Sequence, residues 1–397
     1  MSLPSARWRP LALLMLLASL AILVSACGGS DSTSDSTGGG ATESETSEGE
    51  TSGGGESSSA VDLAALEKIV QEHVKYGPIG PTVPIGKPIP KDVKAVFINC
   101  GAPACVSFEE AFNEAAGVLG WKVENITAEP TPESIQEAFG EAVRRKPAAV
   151  LTSGFAIEQY PKQAKELNEL EIPIISNTGT DPSTYNPSEG VTLQLQETSE
   201  VSEAARLMAD KALVDAGGEG EFGAVNLTGY PSVAIQVKAF EEEIEEKCPE
   251  CTLKHLDVQP TSLGKDAPTI VSNFVRANSG IKGLYFGYDG IALGLPAAFK
   301  AGGITPPKTY AWAPDEPGVQ ELQTGELTAA VPLGYPETGW QFADAVARVV
   351  TGGNIKDSKP VGPYVLWSKE FDNVPANATE LFANPNYKEE FEKLWGV

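Results

Sequence analysis

The sequence predicts an α/β protein built from two doubly wound parallel-sheet lobes. Short apolar strand patterns alternate with helical patterns from Lys94 to Asn177, and the same alternation recurs from Val191 to Trp367. The body of the chain, residues 60–397, holds about 338 residues, which is long for one hydrophobic core and sufficient for two. Two similar alternations in tandem therefore predict two similar lobes.

Four strand–helix steps in the first half are typical of a parallel sheet that carries helices on both faces. The strands are short apolar runs, and the helices repeat apolar residues three and four positions apart, as at Phe112, Ala116 and Leu119. Pro132 suits the first turn of its helix, where the missing N–H is not needed. The predicted strands are 94–99, 121–127, 148–152 and 172–177, and the predicted helices are 108–119, 132–145 and 157–170.

The second half repeats this pattern, and glycine pairs mark the ends of three of its helices. These pairs begin at Gly217, Gly302 and Gly352, and glycine readily adopts the left-handed conformation that follows many helix C-termini. The predicted strands are 191–195, 222–227, 252–258, 281–286, 309–313, 327–333 and 361–367. The predicted helices are 200–216, 233–247, 267–277, 291–300, 317–323 and 338–350.

The N-terminus has the pattern of a secretory signal. Arg7 and Arg9 precede an apolar run over 11–24, and its roughly 14 residues fall short of the about 20 that span a membrane comfortably. The run closes on Val24-Ser25-Ala26-Cys27, which resembles the lipobox of bacterial lipoproteins, where the cysteine is acylated. We therefore predict a lipoprotein signal peptide over 1–26 and lipidation of Cys27. An ordinary cleaved signal with an incidental cysteine is the alternative.

Two further segments precede the lobes. Residues 27–60 consist almost wholly of Gly, Ser, Thr, Asp and Glu, so they bury too little apolar surface to offset the entropy of ordering. They are predicted to form a disordered, acidic tether. Residues 61–75 have helical apolar spacing, and 77–90 contain five prolines, which indicates an extended connector on the surface. Residues 61–90 are therefore predicted to be a helix followed by a proline-rich lead-in.

The body is strongly acidic. Without the first 60 residues, which hold 2 basic and 7 acidic side chains, 27 Lys and Arg stand against 47 Asp and Glu, a net charge of −20. Such a surface repels nucleic acid and anionic lipid. We expect an extracytoplasmic body held at the cell membrane of the envelope by its lipid anchor, with no nucleic-acid partner.

Four cysteines other than Cys27 form two close pairs, Cys100 with Cys105 and Cys248 with Cys251. In an exported chain an even, locally paired set predicts disulfides. Zinc and redox sites also use the Cys-x-x-Cys spacing. However, the two pairs fall at opposite poles of the predicted lobes, and residues 248–251 follow a helix, whereas a redox pair opens one. We predict two structural disulfides, no metal and no cofactor.

Several stretches of the body resemble the type I periplasmic binding proteins, especially their ribose-binding-like branch. The resemblance covers about 94–367, and its most specific part is Tyr288-Asp-Gly-Ile-Ala-Leu-Gly294 followed by Ala-Ala-Phe-Lys-Ala-Gly302. It implies the type I periplasmic-binding-protein fold, with three hinge crossings near 194–198, 333–336 and 353–360. Lobe one would then comprise 91–195 and 335–355, and lobe two 196–334 and 356–397. The lobes would close over a ligand by hinge motion.

The binding cleft is expected at the carboxyl ends of the strands, where wound parallel sheets meet their ligands. The loops there supply hydroxyls, amides, carboxylates and aromatic rings, a mixture that suits a small polar ligand. The candidate ligand-binding residues are Ala102, Pro103, Ser153, Asn177, Thr178, Tyr230, Tyr288, Asp289, Asp315 and Tyr335. Tyr285 and Trp312 lie inside strand patterns and are expected in the core.

The family's sugar-binding pattern is largely absent at the matching positions. The aromatic pair after the first strand is replaced at 102–105, the Asp-Arg after the fourth strand by Thr178-Gly179, and the helix arginine by Ala234. Tyr288 and Gly334 stand where the family has amides. Only Asp315 matches, and its interpretation as a ligand contact is preferred to the alternative of a helix N-cap before Gly318.

No catalytic cluster is evident, so no enzyme is predicted. No histidine falls in a cleft loop, His255 lies in a strand pattern, and no Gly-x-Ser-x-Gly sequence or phosphate-binding glycine loop occurs. The resemblance implies a monomeric solute-binding lipoprotein that delivers a small polar molecule, sugar-like or polyol-like, to the permease of an ABC importer. The alternatives are a ligand sensor for a membrane signalling receptor, or a binder of an aromatic, nucleoside or amino-acid-like ligand.

Overall fold

A computed structural model describes residues 61–77, 79–178, 190–359, 365–381 and 384–397. The predicted signal peptide, Cys27 and the tether lie outside these residues. The strands are β1 Lys94–Asn99, β2 Lys122–Thr127, β3 Ala149–Thr152, β4 Ile174–Ser176, β5 Leu193–Gln194, β6 Glu221–Leu227, β7 Thr252–Val258, β8 Ile281–Phe286, β9 Lys308–Trp312 and β10 Ala329–Val331.

Two five-stranded parallel sheets organise this part of the chain. Sheet one has the order β2-β1-β3-β4-β5, and sheet two has the order β10-β9-β8-β6-β7. Each order reverses beside its first strand, as in doubly wound sheets. The central strands are buried on both faces, with all four residues of β3 and five of the six residues of β1 buried. The predicted fold class is therefore confirmed.

The helices cover both faces of each sheet. They are α1 Leu63–Glu72, α2 Pro103–Leu119, α3 Pro132–Arg145, α4 Pro161–Glu169, α5 Thr198–Ala216, α6 Pro231–Lys247, α7 Ala267–Ala277, α8 Leu295–Gly302, α9 Glu316–Thr324, α10 Tyr335–Thr351 and α11 Tyr387–Trp395. No helix of these residues is long and apolar enough to cross a membrane.

Two helices begin three or more residues earlier than the sequence predicted. Helix α2 starts at Pro103 instead of residue 108, and α10 starts at Tyr335 instead of residue 338. Both carry proline in the first turn, where its fixed φ favours the helix and its missing N–H is not needed. The apolar repeat used for the prediction appears only after these first turns: the first turn of α2 is partly exposed, and that of α10 contains the polar residues Glu337 and Thr338.

Two predicted helices are interrupted. Residues 157–170 form a short 3₁₀ turn, Ile157–Gln159, and then α4. Residues 291–300 likewise divide into a 3₁₀ turn at Asp289–Ile291 and α8, with Gly294 between them at φ +83°. The predicted last strand, 361–367, lies partly outside the described residues. Its described end makes one antiparallel bridge, between Trp367 and Ala330 of β10.

Helix α10 returns from sheet two to pack on α2 beside sheet one. The two helices approach so closely at Gly339 that a Cβ atom there would lie 2.3 Å from the Cβ of Ala111. This packing agrees with the expectation that 335–355 belongs with lobe one. The exact lobe boundaries remain a prediction.

The last helix lies elsewhere than the sequence suggested. Residues 356–397 were assigned to lobe two, but α11 packs on α10. Trp395 stacks on Trp340 with ring centroids 5.3 Å apart, and Phe391 lies 6.2 Å from the same ring. The helix buries Tyr387, Phe391 and Trp395, which lie four residues apart on one face. Aromatic burial against Trp340 therefore places the tail helix on the lobe-one side.

Candidate ligand-binding cleft

A cavity lies where the carboxyl ends of the strands of the two sheets face each other. Its volume is about 80 Å³. The sheet-one side contributes Cys100, Ala102, Ala104, Cys105, Phe108, Ser153, Gly154, Asn177, Thr178 and Gln196. The sheet-two side contributes Leu227, Tyr230, Ser232, Val233, Leu263, Tyr288, Trp312, Ala313 and Leu333.

The structure brings six of the ten predicted ligand-binding residues to this cavity. They are Ala102, Ser153, Asn177, Thr178, Tyr230 and Tyr288. All six stand just beyond a strand end, because the loops after parallel strands converge at one edge of the sheet. The other four residues, Pro103, Asp289, Asp315 and Tyr335, are not among the cavity-lining residues.

Asp315 caps a helix. Its Oδ1 accepts a hydrogen bond from the backbone N–H of Gly318 at 3.3 Å, which makes it the N-cap of α9. Asp289 lies buried behind it, and its Oδ2 accepts from the backbone N–H of Asp315 at 3.4 Å. Burial raises the pKa of both carboxyl groups. The structure therefore shows the capping interaction that was the alternative, and a ligand contact of Asp315 stays a prediction.

Tyr335 and Pro103 also have structural positions. The hydroxyl of Tyr335 donates to the backbone oxygen of Ala313 at 2.7 Å, and its ring packs against Phe108 with centroids 5.1 Å apart. Pro103 occupies the first turn of α2 and faces a separate open groove. Both residues were predicted to lie in cleft loops. They lie instead in the first turns of α2 and α10, because these helices begin earlier than predicted.

Sequence reasoning missed Trp312 as a cavity residue. It was expected in the core with Tyr285. Tyr285 is a core residue, since its ring stacks on Phe240 at 4.5 Å and its hydroxyl donates to Gln236. Trp312 instead ends β9 and lines the cavity. The predicted strand ran to residue 313, so no local signal in the sequence distinguished Trp312, at the observed strand end, from Tyr285.

The structure pairs Cys100 with Cys105 and Cys248 with Cys251. The first disulfide forms part of the cavity wall. It packs against Gly154, whose φ is +84° and where a Cβ atom would lie 2.8 Å from Cys100 Sγ. Only glycine satisfies both conditions at this position. The second disulfide lies between α6 and β7, at the amino end of the sheet and away from the cavity.

Several buried polar groups in the cavity wall have no protein hydrogen-bond partner. They are Ser153 Oγ, both amide atoms of Asn177 and Gln196 Oε1. Thr178 is different, because its Oγ1 accepts from Gln194 Nε2 at 2.9 Å. Buried polar groups in proteins are nearly always satisfied, and leaving them unpaired is costly. A bound ligand that pairs with them would remove this cost.

No Asp, Glu, Lys, Arg or His is among the described residues that line the cavity. Burial, reinforced by Asp315 and Asp289, raises the pKa of Tyr288 well above its usual range, and burial also raises the pKa of Tyr230. Both phenols therefore remain neutral at physiological pH. An ionised ligand would lose its hydration here without gaining a counter-charge, so the cavity favours neutral molecules.

The two histidines lie away from the cavity. His255 is half-exposed on β7 between Glu241 and Asp257, as its place in a strand pattern suggested, and His73 Nδ1 lies 2.7 Å from the backbone oxygen of Ile69. In the part of the chain that the structure describes, no group of three or more His, Cys, Asp or Glu residues is arranged to hold a metal.

The two wound sheets meet at a cavity formed by their strand ends, the place where such sheets bind small ligands. A model of the family described as "Periplasmic binding protein domain" matches residues 96–354. The chain therefore belongs to this family, whose members are solute-binding proteins rather than enzymes. The match leaves α1, the lead-in and the C-terminal segment outside it. No curated protein sequence matches the chain.

Solved structures share the fold. A periplasmic ribose ABC transporter protein from Conexibacter woesei is 21% identical, with 74% of this chain and 99% of that chain covered and a TM-score of 0.58. A solute-binding protein from Actinobacillus succinogenes with bound D-allose is 14% identical over 72% and 99%, at a TM-score of 0.61. A solute-binding protein from Bacillus halodurans with bound myo-inositol is 15% identical, with 78% of this chain and 99% of that chain covered and a TM-score of 0.59.

Proposed function

We propose that the chain captures a small neutral molecule, a sugar or polyol, outside the cytoplasm and delivers it to an ABC importer. The observation that carries this proposal is the uncharged cavity with unpartnered groups on Ser153, Asn177 and Gln196. Hydroxyl groups are both donors and acceptors, so they suit a hydroxyl and two amides. The structural neighbours with bound D-allose and myo-inositol support the same ligand class.

The N-terminal pattern supports a place on the outer face of the cell membrane. The tetrad ending at Cys27 and the acidic 27–60 segment together fit a lipid anchor and a flexible tether. We propose that the two lobes work as a monomer at this surface. A tethered binding protein keeps a high local concentration beside its importer.

Lobe closure is the proposed means of capture. Gln196 lies between β5 of sheet one and α5, and Leu333 lies between β10 of sheet two and α10. Both therefore sit where the chain passes between the lobes, and both line the cavity. A ligand that contacts them would favour the closed arrangement, because only that arrangement surrounds it.

A thermal-shift titration of residues 61–397 against neutral sugars and polyols tests the proposal. The melting temperature should rise with one class of ligand, and the rise should grow with the logarithm of concentration above the dissociation constant. Asn177→Ala should abolish most of the shift, while Ser107→Ala, outside the cavity, should leave it intact. If only charged ligands stabilise the protein, the proposal is wrong.

Delivery requires a separate experiment. The lipidated protein should stimulate ligand uptake by the permease and ATPase of its cognate ABC importer when all are placed in vesicles. If uptake is the same with the Asn177→Ala variant, transport does not depend on ligand binding by this protein. That result would contradict delivery to the importer and favour the sensor alternative.

A further inference from the structure

We propose that the two end segments of the described body form a clasp across the hinge, which limits how far the lobes open. This terminal clasp consists of residues 61–77 and 79–85 on the N-terminal side and 366–381 and 384–397 on the C-terminal side, all outside the family match over 96–354. It keeps the ligand-free cleft near the arrangement that surrounds a ligand. The inference rests on the proposed function only for its effect on affinity, because lobe opening is measurable without a ligand.

The N-terminal part of the clasp is attached on both sides of the cleft. Helix α1 packs on α5, and α5 packs on β8, β9 and β10 of sheet two. Farther along the chain, the backbone oxygen of Val83 accepts a hydrogen bond from Arg348 Nη2 of α10 at 2.7 Å. The backbone N–H of Ile85 donates to the backbone oxygen of Leu394 in α11 at 3.0 Å. Since α10 packs on α2 beside sheet one and α11 packs on α10, this part passes from the sheet-two side to the sheet-one side.

The C-terminal part of the clasp makes the same crossing. Trp367 bridges β10 of sheet two, and Gln323 Nε2 of α9 donates to the backbone oxygen of Pro375 at 2.7 Å. Farther along, the backbone N–H of Asn384 donates to Glu337 of α10, and α11 then packs on α10. The clasp therefore adds two connections between the lobes to the three crossings that the family resemblance implies.

The two parts of the clasp are also joined to each other. The backbone N–H of Leu366 donates to the backbone oxygen of the C-cap residue of α1 at 2.7 Å. Asn373 Nδ2 donates to the backbone oxygen of Val74 at 2.9 Å, and Asn384 Nδ2 donates to that of Gly77 at 3.2 Å. Asn384 is buried, so its hydrogen bonds are costly to break without replacement. The two crossings therefore form one paired connection.

The clasp lies beside a predicted hinge segment. Thr379 and Tyr387 line an open groove together with Tyr335 and Pro336, and the predicted hinge crossing at 333–336 ends on these last two residues. Hinge motion concentrates the change in backbone dihedral angles in a few residues of such a crossing. Because the clasp is fixed to both lobes beside this crossing, a wide rotation of the lobes has to strain or break its hydrogen bonds. The range of opening is therefore restricted.

The clasp affects binding without touching the ligand. None of its residues is among the described residues that line the cavity. The apparent affinity of a protein is reduced when its binding-competent arrangement is only partly populated. By limiting wide opening, the clasp raises the population of that arrangement. Releasing the clasp should therefore weaken ligand binding about three- to tenfold.

Lengthening both crossings tests the inference while α1 and α11 stay in the chain. Gly-Ser-Gly-Ser is inserted after Thr82 and again after Ala376, both of which are exposed. The control carries the same added residues after the exposed Thr305, in the loop between α8 and β9 within one lobe. All proteins begin at Cys27, the first residue after the predicted signal peptide.

Single-molecule energy transfer reports the separation of the lobes. Dyes are placed at two exposed positions, Glu137 of α3 beside sheet one and Asn273 of α7 beside sheet two. Without ligand, the lengthened variant should show longer and more broadly distributed dye separations than the parent, and the control should match the parent. A lengthened variant with the same distribution as the parent would overturn the inference.

A second variant releases the clasp without adding residues. Replacing Asn373 and Asn384 together by alanine removes two of the hydrogen bonds that join the two parts. The dye separations should shift in the same direction as in the lengthened variant, by a smaller amount. If the lengthened variant does not fold, an unchanged distribution in this double variant overturns the inference instead.

Titration of the same proteins with D-allose and myo-inositol measures the effect on binding. The affinity for the compound that the parent binds should fall about three- to tenfold in the lengthened variant and stay unchanged in the control. Equal or tighter binding by a variant that opens more widely would overturn the inference. If the parent binds neither compound nor any other neutral sugar or polyol, the proposed function is overturned, and the dye separations alone decide whether the clasp limits opening.

Discussion

Arg348 donates through Nε to Asp344 Oδ2 at 2.7 Å, and their side chains are only 2% and 0% exposed. Three other segments converge on this buried pair. Arg348 Nη2 donates to the backbone oxygen of Val83 in the lead-in, and Ser358 Oγ and Trp395 Nε1 donate to Asp344. The pair therefore joins α10 to segments that lie outside the matched family domain.

Asp344→Asn should lower the free energy of unfolding by about 3 kcal/mol, because it leaves the buried Arg348 with only the more distant and partly exposed Asp357 as a counter-charge. Denaturant unfolding followed by tryptophan fluorescence measures this. Asp357→Asn is the matched control: Asp357 lies 3.8 Å from Arg348 Nη1 and is partly exposed, so its loss should cost under about 1 kcal/mol. Equal effects of the two changes would contradict the buried-pair argument.

Gly339→Ala should destabilise the protein by about 1–3 kcal/mol, since the new methyl group would meet Ala111 and the backbone of Phe112. Gly117→Ala on the facing helix α2 is the control, because nothing lies within 4 Å of its added Cβ. That change should stabilise by up to about 1 kcal/mol through helix propensity. Thermal and urea unfolding of both variants compare the signs, and loss of stability in both would argue against close α2–α10 packing.

Asp210 makes stability depend on pH. Burial raises its pKa to about 7, with Glu243 adding to the shift and Lys247 opposing it. Because the folded-state pKa lies above that of the unfolded chain, the native state binds more protons between about pH 4 and 7. The stability that the protonated carboxyl provides is therefore present at low pH and is lost as the pH rises through 7.

Asp210→Asn should consequently make unfolding less dependent on pH and should be more stable than the parent by about 1–3 kcal/mol at pH 8. Glu200 and Glu321, whose pKa values are also raised to about 7 by burial, should preserve part of the slope. Urea denaturation at intervals from pH 4 to 8 gives the profiles. Superimposable slopes would show that Asp210 titrates normally.

Asp315→Ala should lower stability by about 1 kcal/mol by removing the N-cap of α9, and it should leave ligand affinity within about twofold. The experiment pairs denaturant unfolding with titration of whichever neutral ligand the panel identifies. A loss of affinity comparable to that in Asn177→Ala would restore the interpretation of Asp315 as a ligand contact.

Replacing Cys100 and Cys105 together by serine should lower the free energy of unfolding by about 2 kcal/mol. The loss is at the low end for a disulfide, because this one closes a short loop and therefore restricts the unfolded chain only a little. The double replacement should also weaken ligand binding, since the disulfide forms part of the cavity wall. Replacing Cys248 and Cys251 should reduce stability alone. Unchanged affinity in the first double variant would place the ligand away from this wall.

Strand and helix positions in the lobes were predictable because each element is governed by its own local pattern. β1, α3, β7, α7 and β8 begin and end at the predicted residues. The starts of α2 and α10 were not predictable in the same way. Their first turns carry prolines and polar or exposed residues, Pro103 in α2 and Glu337 in α10, so neither turn shows an apolar repeat.

The candidate site residues likewise fall into those that the sequence could predict and those that it could not. Ser153, Asn177 and Tyr288 follow from a rule about strand ends, which needs only the order of elements along the chain. Asp315 and Tyr335 obey the same rule in sequence, yet each finds a partner in the folded chain, at Gly318 N and Ala313 O. Only the fold reveals which polar groups are already satisfied.

By itself the sequence determined the α/β class, the tandem arrangement of two wound sheets and the acidic character of the chain, because these depend on composition and on periodicity over a few residues. Tertiary structure alone decided that the tail helix packs on Trp340 and that Ser153, Asn177 and Gln196 meet in one cavity. Both depend on side chains far apart in sequence, whose meeting is set by packing that no local pattern records.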